Sequence, residues 1–131
     1  MTALGKSAFV GPGRRILSLG YNSALLRARN VFMETAGYQV VTTKEFSLML
    51  QLGQEQHFDA AVLCNSIPLE LRKNAARELK ALRPKLPLIV ICTESEQAQF
   101  ENLADALVLA EDGISQPLIE AISRLAEGPE S

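Results

Sequence analysis

Five short apolar runs separated by amphipathic stretches predict an α/β fold, a parallel sheet of five strands alternating with five helices that cover both faces. Three observations carry this. Asp59-Ala60-Ala61-Val62-Leu63-Cys64 has four consecutive apolar residues, too few for a helix and open to burial on both sides, as in a central parallel strand. Pro87-Leu88-Ile89-Val90-Ile91-Cys92 is the most continuous apolar run in the chain. Between such runs, apolar residues recur at three- and four-residue spacing, bounded by Asn, Thr, Gly and Pro.

Taken in order, Arg15 to Leu19 is the first strand. Asn22 is placed to cap a helix from Ser23 to Ala36, with Leu25, Ala28, Phe32 and Ala36 as its inward stripe and Gly37 as its stop. Tyr38 to Thr42 is the second strand. Thr43 then caps a helix over 44–52 that buries Phe46, Met49 and Leu50. The third strand, Asp59 to Cys64, runs through Asn65, Ser66 and Pro68 into a helix over 69–82 that buries Leu71, Ala75, Leu79 and Leu82. The fourth strand, Pro87 to Cys92, precedes a more polar helix from Glu94 to about Leu103. The fifth strand is Ala106 to Leu109, and a last helix from about Ser115 to Ala126 turns Leu118, Ile119, Ile122 and Leu125 inward and stops at Gly128 and Pro129.

The 131 residues suit one domain able to bury about two-thirds of its unfolded surface. A composition 47% hydrophobic and 21% charged is that of a globular protein. Residues 1–13 read as a loose tail, 14–128 as the domain and 129–131 as a second tail. No run approaches the roughly 20 apolar residues of a membrane span, and nothing at the start reads as a secretion signal. Two cysteines without such a signal imply free thiols in a reducing, cytoplasmic setting. Charge is lopsided. From Glu70 to Lys85 six bases stand against two acids, whereas beyond Lys85 nine acids face only Arg124. The bases occupy one helix and come without aromatic cues, so neither a nucleic acid nor a membrane is expected as partner.

Several motifs in this order resemble the CheY-like receiver domains of response regulators in two-component signalling. Gly37-Tyr38-Gln39-Val40 matches their Gly-Tyr-x-Val. Asp59, Cys64 and Pro68 fall on their Asp-x-x-x-x-Asp-x-x-x-Pro, and Pro87 stands before the fourth strand as theirs does. The resemblance covers about Arg15 to Glu127. It implies a flavodoxin-like (βα)5 sandwich with strand order 2-1-3-4-5.

It also implies a phosphoryl-transfer site, and there this chain departs from the pattern. The nucleophile position holds Cys64 instead of aspartate. The Mg²⁺-binding acidic pair is Gly20 and Tyr21, the hydroxyl position is Cys92 or Thr93, and the lysine position falls near Ala110 or Glu111. No alignment shift restores the acidic pair or the lysine, because the first acidic residue of the chain is Glu34 and the last lysine is Lys85. Asp59, five residues and roughly 16 Å from Cys64, is at the wrong end of its strand. The glycine usual four residues after the proline is Arg72.

The expectation is therefore a pseudo-receiver that works without phosphorylation, without Mg²⁺ or another cofactor and without catalysis, through contacts with signalling proteins. The resemblance implies a docking or homodimer surface on the side of the fourth helix, fifth strand and fifth helix (α4–β5–α5). That side is acidic and would suit a basic partner.

Two alternatives remain open. One is a thiol redox sensor using Cys64 and Cys92, which lie at the ends of neighbouring strands; no lysine or histidine is placed to activate them, and Glu111 would raise a thiol pKa. The other is a small-ligand binder at the vacated crevice, where Tyr21 would fill the space of the acidic pair. His57 reads as a surface loop residue without a partner, and Gly5-Lys6-Ser7 lacks the strand and leading glycine of a phosphate loop.

Overall fold

The structure, a computed structural model, describes residues 13–110 and 115–126. The elements are β1 (Arg15–Leu19), α1 (Ser23–Thr35), β2 (Gln39–Thr43), α2 (Phe46–Glu55), β3 (Ala60–Leu63), α3 (Leu69–Leu82), β4 (Leu88–Cys92), α4 (Gln97–Phe100, preceded by a 3-10 turn over Glu94–Glu96), β5 (Ala106–Leu109) and α5 (Ser115–Ala126). All strands are parallel, in the order β2-β1-β3-β4-β5. Both tails lie outside the described residues except Gly13, as do Glu111 and the stop at Gly128 and Pro129.

The inner strands β3 and β4 are apolar throughout because each alternates between two buried layers, whereas the edge strand β2 is largely half-exposed. Leu17, Leu19, Ala61, Leu63, Leu88, Val90 and Cys92 face one core with Met49, Leu79 and Phe100 of α2, α3 and α4. Ile16, Ala60, Val62, Ile89 and Ile91 face the other with Met33 of α1 and Leu118 and Ile122 of α5. The ends of the elements are pinned as their sequence suggests. Asn22 Oδ1 accepts from Leu25 N at 2.9 Å, and Gly37 takes the left-handed φ of 102° that ends α1. Asp105 Oδ2 accepts from Leu88 N at 2.7 Å and from Lys80 Nζ at 2.8 Å, which fixes the start of β4.

Four expectations are corrected. In α1 the buried residues are Leu26, Arg29 and Met33; Leu25 is half-buried, and Ala28, Phe32 and Ala36 are exposed. A stripe displaced by one residue turns the helix about 100°. Arg29 belongs inside because its guanidinium finds polar partners at the end of β3. In α3 the exposed residue is Leu71 (49%) and the buried one Arg72 (2%). Thr43 ends β2 instead of capping α2; its Oγ1 accepts from Glu45 N at 3.0 Å, and the N-cap Glu45 makes no side-chain cap bond. The expected helix over 94–103 shrinks to the 3-10 turn and one helical turn. Only Phe100 of that stretch is buried, too small an apolar face to stabilise a longer helix.

Candidate functional site

The carboxyl ends of β1, β3 and β4 bring Gly20, Tyr21, Cys64 and Cys92 to one end of the sheet, where open α/β sheets hold their ligands. Cys64 extends the ladder of β3, its N–H donating to Leu19 O at 2.9 Å, and is buried. Gly20 lies against it. A Cβ at Gly20 would come within 2.9 Å of both Cys64 Cβ and Leu26 Cδ2. No larger residue fits there without displacing one of them, so the position needs glycine for space. Tyr21 does not fill the expected gap; it is 37% exposed. Its N–H, with that of Asn22, donates to Ser66 Oγ at 2.9 and 3.3 Å, which ties the β1–α1 loop to the β3–α3 loop.

The interior of the crevice is instead occupied by two arginines that the sequence reading did not place there. Arg29, 6% exposed, reaches up from α1 and donates through Nη1 to Cys64 Sγ at 2.6 Å and to Asn65 Oδ1 at 2.7 Å. Its Nε is buried without a hydrogen-bond partner, and no ion pair among the described residues includes it. Arg72 is anchored on every side. Its Nε donates to Ile67 O at 3.0 Å, and Nη1 donates to Ile91 O at 2.9 Å and to Glu96 Oε1 at 2.8 Å. Nη2 reaches Glu96 Oε2 at 3.3 Å, and the guanidinium carbon lies 5.3 Å from the centroid of the Phe100 ring. Glu96 Oε1 also accepts from Thr93 N at 3.0 Å, so exposed Thr93 is held by its backbone. The only sequence signal for either arginine was spacing: Arg29 and Arg72 each sit three or four residues from the buried positions of their helix.

Electrostatics follow from this packing. The hydrogen bond from Arg72 holds the Glu96 carboxyl below its ordinary value against the opposing effect of burial, with Thr93 N–H adding to it. Burial pushes the Cys92 thiol up, Glu96 pushes it further, and Arg72 opposes both. The carboxylate acting on this thiol is thus Glu96; Glu111 lies outside the described residues.

The two cysteines do not face each other. The register Val62↔Ile89 and Leu63↔Val90 sets Cys64 level with Ile91 and Asn65 level with Cys92. Cys92 points into the α2–α4 core, while Cys64 meets Arg29 on the α1 side. The expected approach of the sulfurs is corrected: the sheet stands between them. Mild oxidant should leave the folded chain without an internal disulfide. Intact-mass measurement checks this, and a loss of two hydrogens would contradict the register.

The residues do not fit Mg²⁺. Gly20 and Tyr21 offer no carboxylate, a carboxylate at Gly20 would collide, and the nearest interior charge is the cationic Arg29. Among the described residues, no three His, Cys, Asp or Glu side chains converge in a group that could hold a metal. Asp59 is at the opposite, amino-terminal end of its strand, where its Oδ2 accepts from Arg15 N at 2.8 Å and its Oδ1 lies 3.1 Å from His57 Nε2, the partner that His57 was not expected to have. A surface hollow of about 580 Å³ opens at that end, around Phe58, Arg83 and Lys85, away from the cysteines and arginines. No described helix is long and apolar enough to cross a membrane.

No family model matches the chain, and no curated protein matches it. Solved structures do. The chain is similar to a CheY-like response regulator receiver domain protein from Methanospirillum hungatei JF-1, with a TM-score of 0.75 and 20% identity over 88% of this chain and 94% of that one. It is similar to a response regulator receiver domain protein from Clostridium thermocellum, with a TM-score of 0.74 and 18% identity over 87% and 94%. It is also similar to a sensor protein from Polaromonas sp. JS666, with a TM-score of 0.76 and 18% identity over 88% and 98%. The strand order, the crossovers and these likenesses agree: the chain has the fold of the CheY-like response regulator receiver domains.

Proposed function

We propose that this chain is a pseudo-receiver: a response-regulator-type signalling module that acts by protein–protein contact, without phosphorylation, Mg²⁺ or catalysis. The observation that carries the reading is Cys64 at the nucleophile position, its thiol buried beside the Arg29 guanidinium, with Gly20 and Tyr21 where a carboxylate pair would stand. A thiol buried beside a guanidinium, with no metal-binding pair and no lysine beyond Lys85, has no route to an acyl phosphate. The acidic α4–β5–α5 side, where Glu94, Glu101 and Glu120 are exposed, is offered to a basic partner. The redox alternative is disfavoured by the opposite facing of the two thiols.

The test is an amide NMR titration of the reduced protein with Mg²⁺ and beryllofluoride, repeated on Cys64→Asp. Neither protein is expected to shift at Gly20, Cys64 or Cys92, because the introduced carboxylate would pair with Arg29 and still lack a metal. Concerted shifts at those amides in the native chain would sink the reading.

A further inference from the structure

Helix α1 is apolar on the side it turns to solvent. Val31 is 58% exposed, more than any other large hydrophobic among the described residues, and Phe32 is 43% exposed. At about 100° per residue, Ala24, Ala28, Val31 and Thr35 form a line opposite the buried Leu26, Arg29 and Met33, and all four are exposed. Phe32 borders that line on one flank. Arg27 and Glu34 border it on the other, and among the described residues neither belongs to an ion pair. A surface helix that only faced water would carry its charges along the middle of this side.

The two charges are seven residues apart, two turns along one flank, separated by about 10 Å with Val31 beside their midpoint. Such a pattern is complementary to itself when reversed. We propose that this face binds a second copy of the chain, α1 against α1 and antiparallel, about a two-fold axis that passes beside Val31. The axis carries each Arg27 onto the partner's Glu34 and each Glu34 onto the partner's Arg27, both on one flank of the contact. On the other flank it brings Phe32 next to the partner's Phe32. Ala24 and Ala28 let the axes approach to the short end of the roughly 8–10 Å range of packed helices.

The other candidate face suits its own copy less well, because Glu94, Glu101 and Glu120 on the α4–β5–α5 side would meet like charges. One pair of 13-residue helices buries less than the roughly 1,200 Å² of a durable interface, so the dimer is weak and concentration-dependent. The inference rests on the α1 face alone, and its failure would leave the signalling reading untouched.

Sedimentation equilibrium of the full chain at low salt tests it. The weight-average mass of the native protein should rise with concentration. Arg27→Glu and Glu34→Arg should each weaken association by about tenfold. An equimolar mixture of those two variants should recover it, because each supplies the charge the other lacks at both contacts. Phe32→Ser should weaken association and leave the thermal midpoint of the dilute monomer unchanged. A native chain that stays monomeric throughout would overturn the proposal, as would a mixture that associates no better than either variant alone. A Phe32→Ser variant that loses monomer stability and keeps its self-association would assign the face to an intramolecular contact, and would overturn it too.

Discussion

Arg72→Ala is expected to lower the stability of the fold by roughly 3–5 kcal/mol, the range for breaking a buried ion pair from one side. The side chain is 3% exposed and joins three pieces of chain, the β3–α3 loop through Ile67 O, the end of β4 through Ile91 O and the 3-10 turn through Glu96. Removing it strands two carbonyls and a carboxylate and uncovers the face of Phe100. Glu96 is 20% exposed and can turn partly to water, which favours the lower end of the range. Urea unfolding measures the loss as a lower midpoint at unchanged slope.

Glu96→Gln asks the same question from the other partner, since it leaves the buried guanidinium facing a neutral amide. The sign of the pH dependence follows from the direction of the shift. Glu96 has a depressed value in the fold, so its contribution is complete above the ordinary 4.5 and is lost as pH falls through the lower folded value. The native chain and Glu96→Gln should therefore differ at neutral pH and converge in acid below about 4.5. A gap that persists unchanged at low pH would show that the carboxylate charge is not what holds Arg72.

Arg29→Met is expected to act in the opposite direction and raise stability by about 1–2 kcal/mol. Arg29 is buried like Arg72 but has no carboxylate partner; a thiol sulfur and an amide oxygen accept from its Nη1, and its Nε–H finds no acceptor. Removing such a charge from water costs several kcal/mol, and an unbranched apolar side chain of similar length removes that cost and keeps the packing beside Leu26 and Met33. Thermal and urea unfolding of the reduced proteins give the difference. A destabilised Arg29→Met would mean that Cys64 and Asn65 together balance the guanidinium, and would make the Arg29–Cys64 contact a structural pair.

β3 and β4 were legible because burial on both faces leaves an unambiguous mark, an apolar run opened by Asp or Pro; all five strands lie within a residue of where the sequence puts them. Which residues stand at the strand ends was legible as well: Gly20 and Tyr21 follow β1, Cys64 follows β3 and Cys92 ends β4, as the sequence places them. The arginines were not. Sorting helix faces by hydrophobicity chose Leu71 over Arg72 and Phe32 over Met33, a choice that fails where carbonyls and a carboxylate from distant strands make an interior position polar. Those acceptors, Ile91 O and Glu96, lie 19 and 24 residues along the chain from Arg72, beyond any local pattern. The facing of Cys64 and Cys92 was missed for a related reason. Neighbouring strands do not imply a shared face, because a one-residue offset in register reverses it.

The grip of Arg72 on Glu96 has a thermodynamic corollary for whatever binds nearby. Any arrangement that moves residues 93–96 elsewhere leaves a guanidinium inside the protein without its counter-charge, so rival conformers of that segment are sparsely populated. A binder then meets its preferred shape in nearly every molecule, and its apparent Kd equals the intrinsic one; a surface competent in one molecule out of a hundred would bind roughly a hundredfold more weakly.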